Sequence, residues 1–66
     1  MNKPLCIVAT ITPLPEHLDD ARNAIIGIVP QTLQESGCQM FRLLEGDDGC
    51  LRLYEEWDDE AALQAH

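Results

Sequence analysis

Two short runs, CQMFRLLE (38–45) and CLRLYEEW (50–57), flank the tetrapeptide Gly46-Asp47-Asp48-Gly49. An Asp-Gly turn between such runs predicts a β-hairpin, and every other element has to pack around it. Upstream, LCIVATIT (5–12) is short, apolar and rich in β-branched residues, the pattern of a strand. Leu5, Ile7, Ala9 and Ile11 share one of its faces, and Cys6, Val8, Thr10 and Thr12 share the other. Pro13-Leu14-Pro15 ends the strand, with Pro15 suited to a first helical position. From Glu16 to Ser36 the period changes: Leu18, Ala21, Ile25, Ile28, Val29 and Leu33 recur at steps of three and four, which predicts a helix. Glu16, Asp19 and Asp20 complement its dipole, Pro30 predicts a kink or a split, and Gly37 is a stop. In the second hairpin strand Leu51, Leu53, Glu55 and Trp57 alternate with Cys50, Arg52, Tyr54 and Glu56. Beyond it, a second helix places Asp59, Ala62, Leu63 and His66 on one stripe.

Strand, helix, strand, strand, helix is the order of an α+β, ferredoxin-like β-α-β-β-α(-β) fold that lacks its last strand. A chain of 66 residues is one domain, 1–66, and is marginally stable unless a staple or a partner helps it. Cys6, Cys38 and Cys50 are an odd number at wide spacing, with no Cys-x-x-Cys, so free buried thiols are expected and no metal site. Helices cover one face of such a sheet, and neither face of strand 5–12 carries charge. A second copy covering the other face, a homodimer, is therefore expected.

Twelve acids against four bases give a net charge of −8, which excludes a basic footprint for nucleic acid and disfavours anionic membranes. The acids gather at Asp19–Asp20, Asp47–Asp48 and Asp58–Glu60, in helix starts and turns. No apolar run approaches the ~18 residues of a membrane span, and the N-terminus lacks a cleavage site, so a cytoplasmic setting is expected.

The segments IVPQTLQESGCQMF (28–41) and LYEEWDDEAALQAH (53–66) resemble the antibiotic biosynthesis monooxygenase family, and most of all its quinol-monooxygenase-like members. Glu-x-Gly-Cys before a hairpin, Glu-x-Trp at a strand end and a His on the following helix carry the resemblance, and Pro30 falls where the family breaks its first helix. The resemblance implies a dimeric α+β barrel in which each subunit's sheet and helices enclose a pocket. It also implies oxidation of quinol or polyphenolic molecules by molecular oxygen with no cofactor, neither metal nor flavin. The same pocket is compatible with an isomerase or lyase acting on a small keto compound, or with a non-catalytic dimer that binds a small ligand.

By position in the family pattern, Trp57, Leu53 and Leu51 are expected to bind substrate, and His66 and Glu55 to be catalytic. Trp57 is suited to stacking on an aromatic substrate or to anchoring the core. Glu55, poorly solvated on an apolar face, is suited to act as a base, or to cap backbone or pair with Arg42 or Arg52. His66 is suited to general-base or orienting work, or lies frayed at the chain end. Tyr54 and Arg52, opposite Trp57, are expected to pack in the helix layer, with Arg52 also able to anchor an anionic substrate. His17 is expected to face solvent. Because family domains continue into a closing strand, a C-terminally shortened domain is expected, with residues 5–12 left as an open, uncharged edge.

Overall fold

The structure, a computed structural model, describes residues 3–66; Met1 and Asn2 of the expected 1–66 domain lie outside the described residues. The elements run β1 (Leu5–Ile11), a 3-10 turn (Pro15–His17), α1 (Leu18–Leu33), β2 (Cys38–Glu45), β3 (Leu51–Trp57) and α2 (Glu60–Ala65). This is the expected α+β, ferredoxin-like order, with the bounds of β1 and β3 each shifted by one residue and those of β2 as expected.

β3 is the central strand of a three-stranded sheet ordered β1-β3-β2, and both pairings are antiparallel. The hairpin closes through the Gly46 amide on the Cys50 carbonyl (3.0 Å), with Gly49 at φ 79° completing the turn. Arg52 pairs with Asp48 at 3.0 Å across that turn. The guanidinium, then the Cys50 amide, holds the Asp48 carboxyl down at about 2. β1 forms one edge of the sheet, and no described strand lies beyond it.

Register decides which side chains share a face. Leu5, Ile7, Ala9 and Ile11 stand opposite Trp57, Glu55, Leu53 and Leu51, while Phe41 stands opposite Glu55 on the other side of β3. Both helices lie over this face: Arg22 of α1 bonds Glu45 of β2 through Nε at 2.8 Å, and the His66 ring beyond α2 lies against Trp57. The core is accordingly Phe41, Leu51 and Trp57, all at most 2% exposed. Burial of each contributes roughly 1.5–3 kcal/mol.

The face assignment expected for Tyr54 and Arg52 is thus reversed. They point away from the helices, beside exposed Cys6, Thr10 and Arg42 and beside Val8, which is 63% exposed. There Cys6 Sγ donates to the Tyr54 hydroxyl (3.0 Å), which donates to Glu56 (2.7 Å). The neighbouring thiol, and next the Glu56 carboxylate, raise the Tyr54 phenol above its ordinary range. All three cysteines are free as expected, but Cys6 is exposed and the other two are half-buried, because Cys6 belongs to the uncovered face.

In α1 the split expected as one of two outcomes at Pro30 does not occur, and the expected buried stripe is corrected. The carbonyl deprived of its donor belongs to Ile26, a residue on the solvent side at 51% exposure. Ile28 and Leu33, expected in the buried stripe, are 45% and 46% exposed, while Thr32 is buried. At 100° per residue, Thr32 lies only about 20° from the Ile25 direction, whereas Ile28 and Leu33 lie roughly 60° and 80° to either side. No described helix is long and apolar enough to cross a membrane.

Candidate functional site

The last turns of α1 present Ile28, Gln31, Thr32 and Glu35 at i, i+3, i+4 and i+7, one flank of the helix. Glu35 lies just past the helix, but its amide still bonds the Thr32 carbonyl at 3.0 Å, which keeps its side chain on that flank. The chain then reverses at Gly37, whose φ is 87°. A side chain there is excluded twice over: by the backbone conformation, and by the Ala62 Cβ, which would lie 2.5 Å from any Cβ at position 37.

That close approach is what brings α2 in. The Gly37 carbonyl accepts from the Asp58 amide (2.8 Å), and Gln39 donates to the Asp58 carboxylate (2.6 Å), tying the turn to the end of β3. Gln39 itself falls at the irregularity between Cys38 and Met40, where β2 carries an extra residue. Asp59 caps α2 by accepting from the Ala62 amide at 2.9 Å, a bond worth about 1 kcal/mol.

The result is a meeting of residues far apart in the chain. His66 Nδ1 lies 2.6 Å from Glu35 Oε2. Its ring sits 5.0 Å from that of Trp57 and 5.9 Å from that of Phe41, inclined to both. Beneath it, Trp57 Nε1 donates to Glu55 Oε1 at 2.9 Å, with Glu55 only 8% exposed. A cavity of about 330 Å³ opens between α1 and His66, lined by Ile28, Gln31, Thr32, Glu35 and His66. Burial, followed by the carboxylates of Glu35 and Glu55, pushes the nearby Cys38 thiol up. The cavity is thus walled by Ile28, polar side chains and the His66 ring, with Trp57 and Phe41 buried behind that ring and a negative field around it.

Of the residues picked from sequence, His66, Trp57 and Glu55 touch in series, but only His66 borders this cavity. Leu51 is fully enclosed and Leu53 half-buried on the same strand face, and neither borders this cavity. Glu55 binds the indole rather than Arg42 or Arg52, which lie on the opposite face. Arg52 is engaged by Asp48, and His17 is exposed as expected. Sequence reasoning missed Glu35, Thr32, Gln31 and Phe41 as site residues. The i, i+3, i+4, i+7 spacing from Ile28 to Glu35 was the available signal, hidden because its polar members broke the apolar stripe.

A larger concavity, about 750 Å³, lies at the sheet end beside Cys6, Gln39, Tyr54, Glu56 and Trp57. Among the described residues, no group of three or more His, Cys, Asp or Glu side chains is placed to hold a metal ion.

The chain matches the family model for antibiotic biosynthesis monooxygenase over residues 4–66. Its structure is similar to that of PA3566 from Pseudomonas aeruginosa, at 32% identity and a TM-score of 0.91, covering 100% of this chain and 69% of that one. Similarity to Rv0793 from Mycobacterium tuberculosis is at 28% identity and a TM-score of 0.89, over 94% of this chain and 64% of that one. A candidate antibiotic biosynthesis monooxygenase from Deinococcus radiodurans is similar at 26% identity and a TM-score of 0.86, over 97% and 64% of the two chains. The chain therefore spans about two thirds of the length of the structures it matches. No protein of curated function matches it.

Proposed function

The chain belongs to the antibiotic biosynthesis monooxygenase family, and we propose that it oxygenates a quinol or polyphenolic small molecule with molecular oxygen, using neither metal nor flavin. The observation that supports this is the His66 imidazole, held against the Trp57 and Phe41 rings at the edge of a cavity of about 330 Å³.

The chemistry asks little of the protein beyond binding and deprotonation. Removing a phenolic proton gives an electron-rich phenolate that can itself reduce oxygen. One oxygen atom enters the ring and the other leaves as water, while the substrate loses four electrons on its way to the quinone. His66 is the proposed base that takes the phenolic proton. Trp57, buried in the core, backs the His66 ring rather than touching substrate, and its bond to Glu55 fixes the indole plane. Glu55, bonded to Trp57 and nearly buried, acts in this scheme as an orienting group and a local negative charge. Leu51 and Leu53 support the strand beneath it.

We also assign a second copy of the chain to the helix-free face of the sheet. Val8 at 63% and Leu44 at 46% exposure leave apolar surface there, more than a marginal domain of this size gains from leaving in water.

The test is oxygen uptake with a panel of quinols and polyphenols, with labelled oxygen followed into product by mass spectrometry. Incorporation of one labelled atom per turnover, lost in His66→Ala, is the expected result. Equal turnover of a keto compound under nitrogen would instead make the protein an isomerase or lyase. Saturable binding without any product would make it a binding protein.

A further inference from the structure

Taking His66 as the base of that proposed reaction, we infer that Glu35 is its positioning residue: it holds the imidazole in the tautomer whose free lone pair is on Nε2. The two groups meet from opposite ends of the fold, Glu35 at the end of α1 and His66 at the end of α2, with Nδ1 and Oε2 2.6 Å apart. An ionised carboxylate only accepts hydrogen bonds, and a neutral imidazole carries one N–H. The proton at this contact is therefore on Nδ1, and Nε2 is left as the basic nitrogen. A free histidine in water prefers the opposite arrangement, so the carboxylate inverts the choice.

An exposed ion pair would be the bland account of such a contact, and it would be worth little. Three features set this one apart. The imidazole and the carboxylate are about two-thirds covered, with side-chain exposures of 31% and 34%. The ring lies against Trp57 and Phe41, and the hydrogen bond fixes its remaining freedom, the flip about Cβ–Cγ that would exchange Nδ1 for a carbon. And both groups border the same cavity, beside Thr32 and Gln31, so the orientation is set where a substrate hydroxyl would arrive. α2 has only six residues, too few to hold its last side chain by helical rigidity alone. Once His66 has accepted a proton, the same carboxylate faces the imidazolium that forms.

The tautomer is read directly by nitrogen NMR of the chain labelled at histidine, with no substrate present. Only two histidines occur, and exposed His17 serves as the internal reference. The expected result is an Nδ1–H signature for His66 and an ordinary Nε2–H majority for His17. Glu35→Ala should return His66 to the Nε2–H majority while backbone amide spectra stay dispersed. Glu35→Gln, whose amide oxygen still accepts a hydrogen bond, should keep the wild-type tautomer. In quinol oxidation, Glu35→Ala should lower kcat by about 10- to 100-fold, the usual range for losing an orienting partner, with KM within about twofold, and Glu35→Gln should recover most of the loss. An Nε2–H signature for His66 in the wild type, or an unchanged tautomer in Glu35→Ala, overturns the assignment. If no quinol is oxidised but the tautomer follows position 35, the proposed reaction fails and the positioning role stands.

Discussion

Replacing Gly37 by alanine tests the contact that seats α2 and therefore His66. Two costs arise together. At φ 87° an alanine sits in the left-handed region, which costs about 1–2 kcal/mol. Its Cβ would also meet the Ala62 Cβ at 2.5 Å, and relieving such overpacking costs about 1–3 kcal/mol. Against these, alanine restricts the unfolded chain and returns about 0.4–1 kcal/mol. The net loss is about 1–5 kcal/mol, a large share of the roughly 3–10 kcal/mol that a domain of this size holds. For so small a domain the melting temperature should fall by about 4–8 °C for each kcal/mol. Urea unfolding followed by fluorescence of Trp57, the single tryptophan, measures it. A control is built into the fold: Gly49 has nearly the same φ, 79°, but nothing within 4 Å of its would-be Cβ. Gly49→Ala should show the backbone cost alone. Adding Ala62→Gly to Gly37→Ala should remove the contact cost and bring that variant down to the Gly49→Ala level. If Gly37→Ala is no worse than Gly49→Ala, or if Ala62→Gly recovers nothing, α2 does not rest on Gly37 and the account of how His66 is placed is wrong.

Trp57→Phe removes the indole N–H that serves the nearly buried Glu55 carboxylate, and should destabilise the fold by about 1–3 kcal/mol in urea melts followed by circular dichroism; a change within about 0.5 kcal/mol would show that the bond contributes nothing. The Asp48 carboxyl should titrate near 2 by carbon NMR, held low by Arg52 and then the Cys50 amide. Because its folded value is depressed, its stabilising contribution is present above the ordinary carboxylate range and is lost as pH falls through about 2, and Arg52→Ala should move the midpoint back up. Val8→Asp, on the helix-free face, should leave the circular dichroism spectrum intact but abolish concentration-dependent association in sedimentation equilibrium; undiminished association would place the second copy elsewhere.

The sequence by itself determined the elements and their order, because the signals for them are local. The Gly46–Gly49 turn, the alternation along 50–57, the helical period from Leu18 and the Gly37 stop each act over a few residues, and the helices, strands and hairpin formed where these signals stand. Alternation also told which residues of β3 share a face, and so put Glu55 with Trp57. It did not tell which face the helices take. A period of two is unchanged when the faces are exchanged, and both faces of β3 carry one glutamate among larger side chains. That choice belongs to the assembled sheet, where β1 and β2 run parallel on either side of β3 and the α1 crossover between them has a preferred hand. The pairing of Glu35 with His66, 31 residues apart, was likewise decided only in three dimensions. Its precondition is that Gly37 lets α2 approach to within van der Waals contact, and nothing in the spacing of two side chains along the chain records a distance set by a missing Cβ on a third.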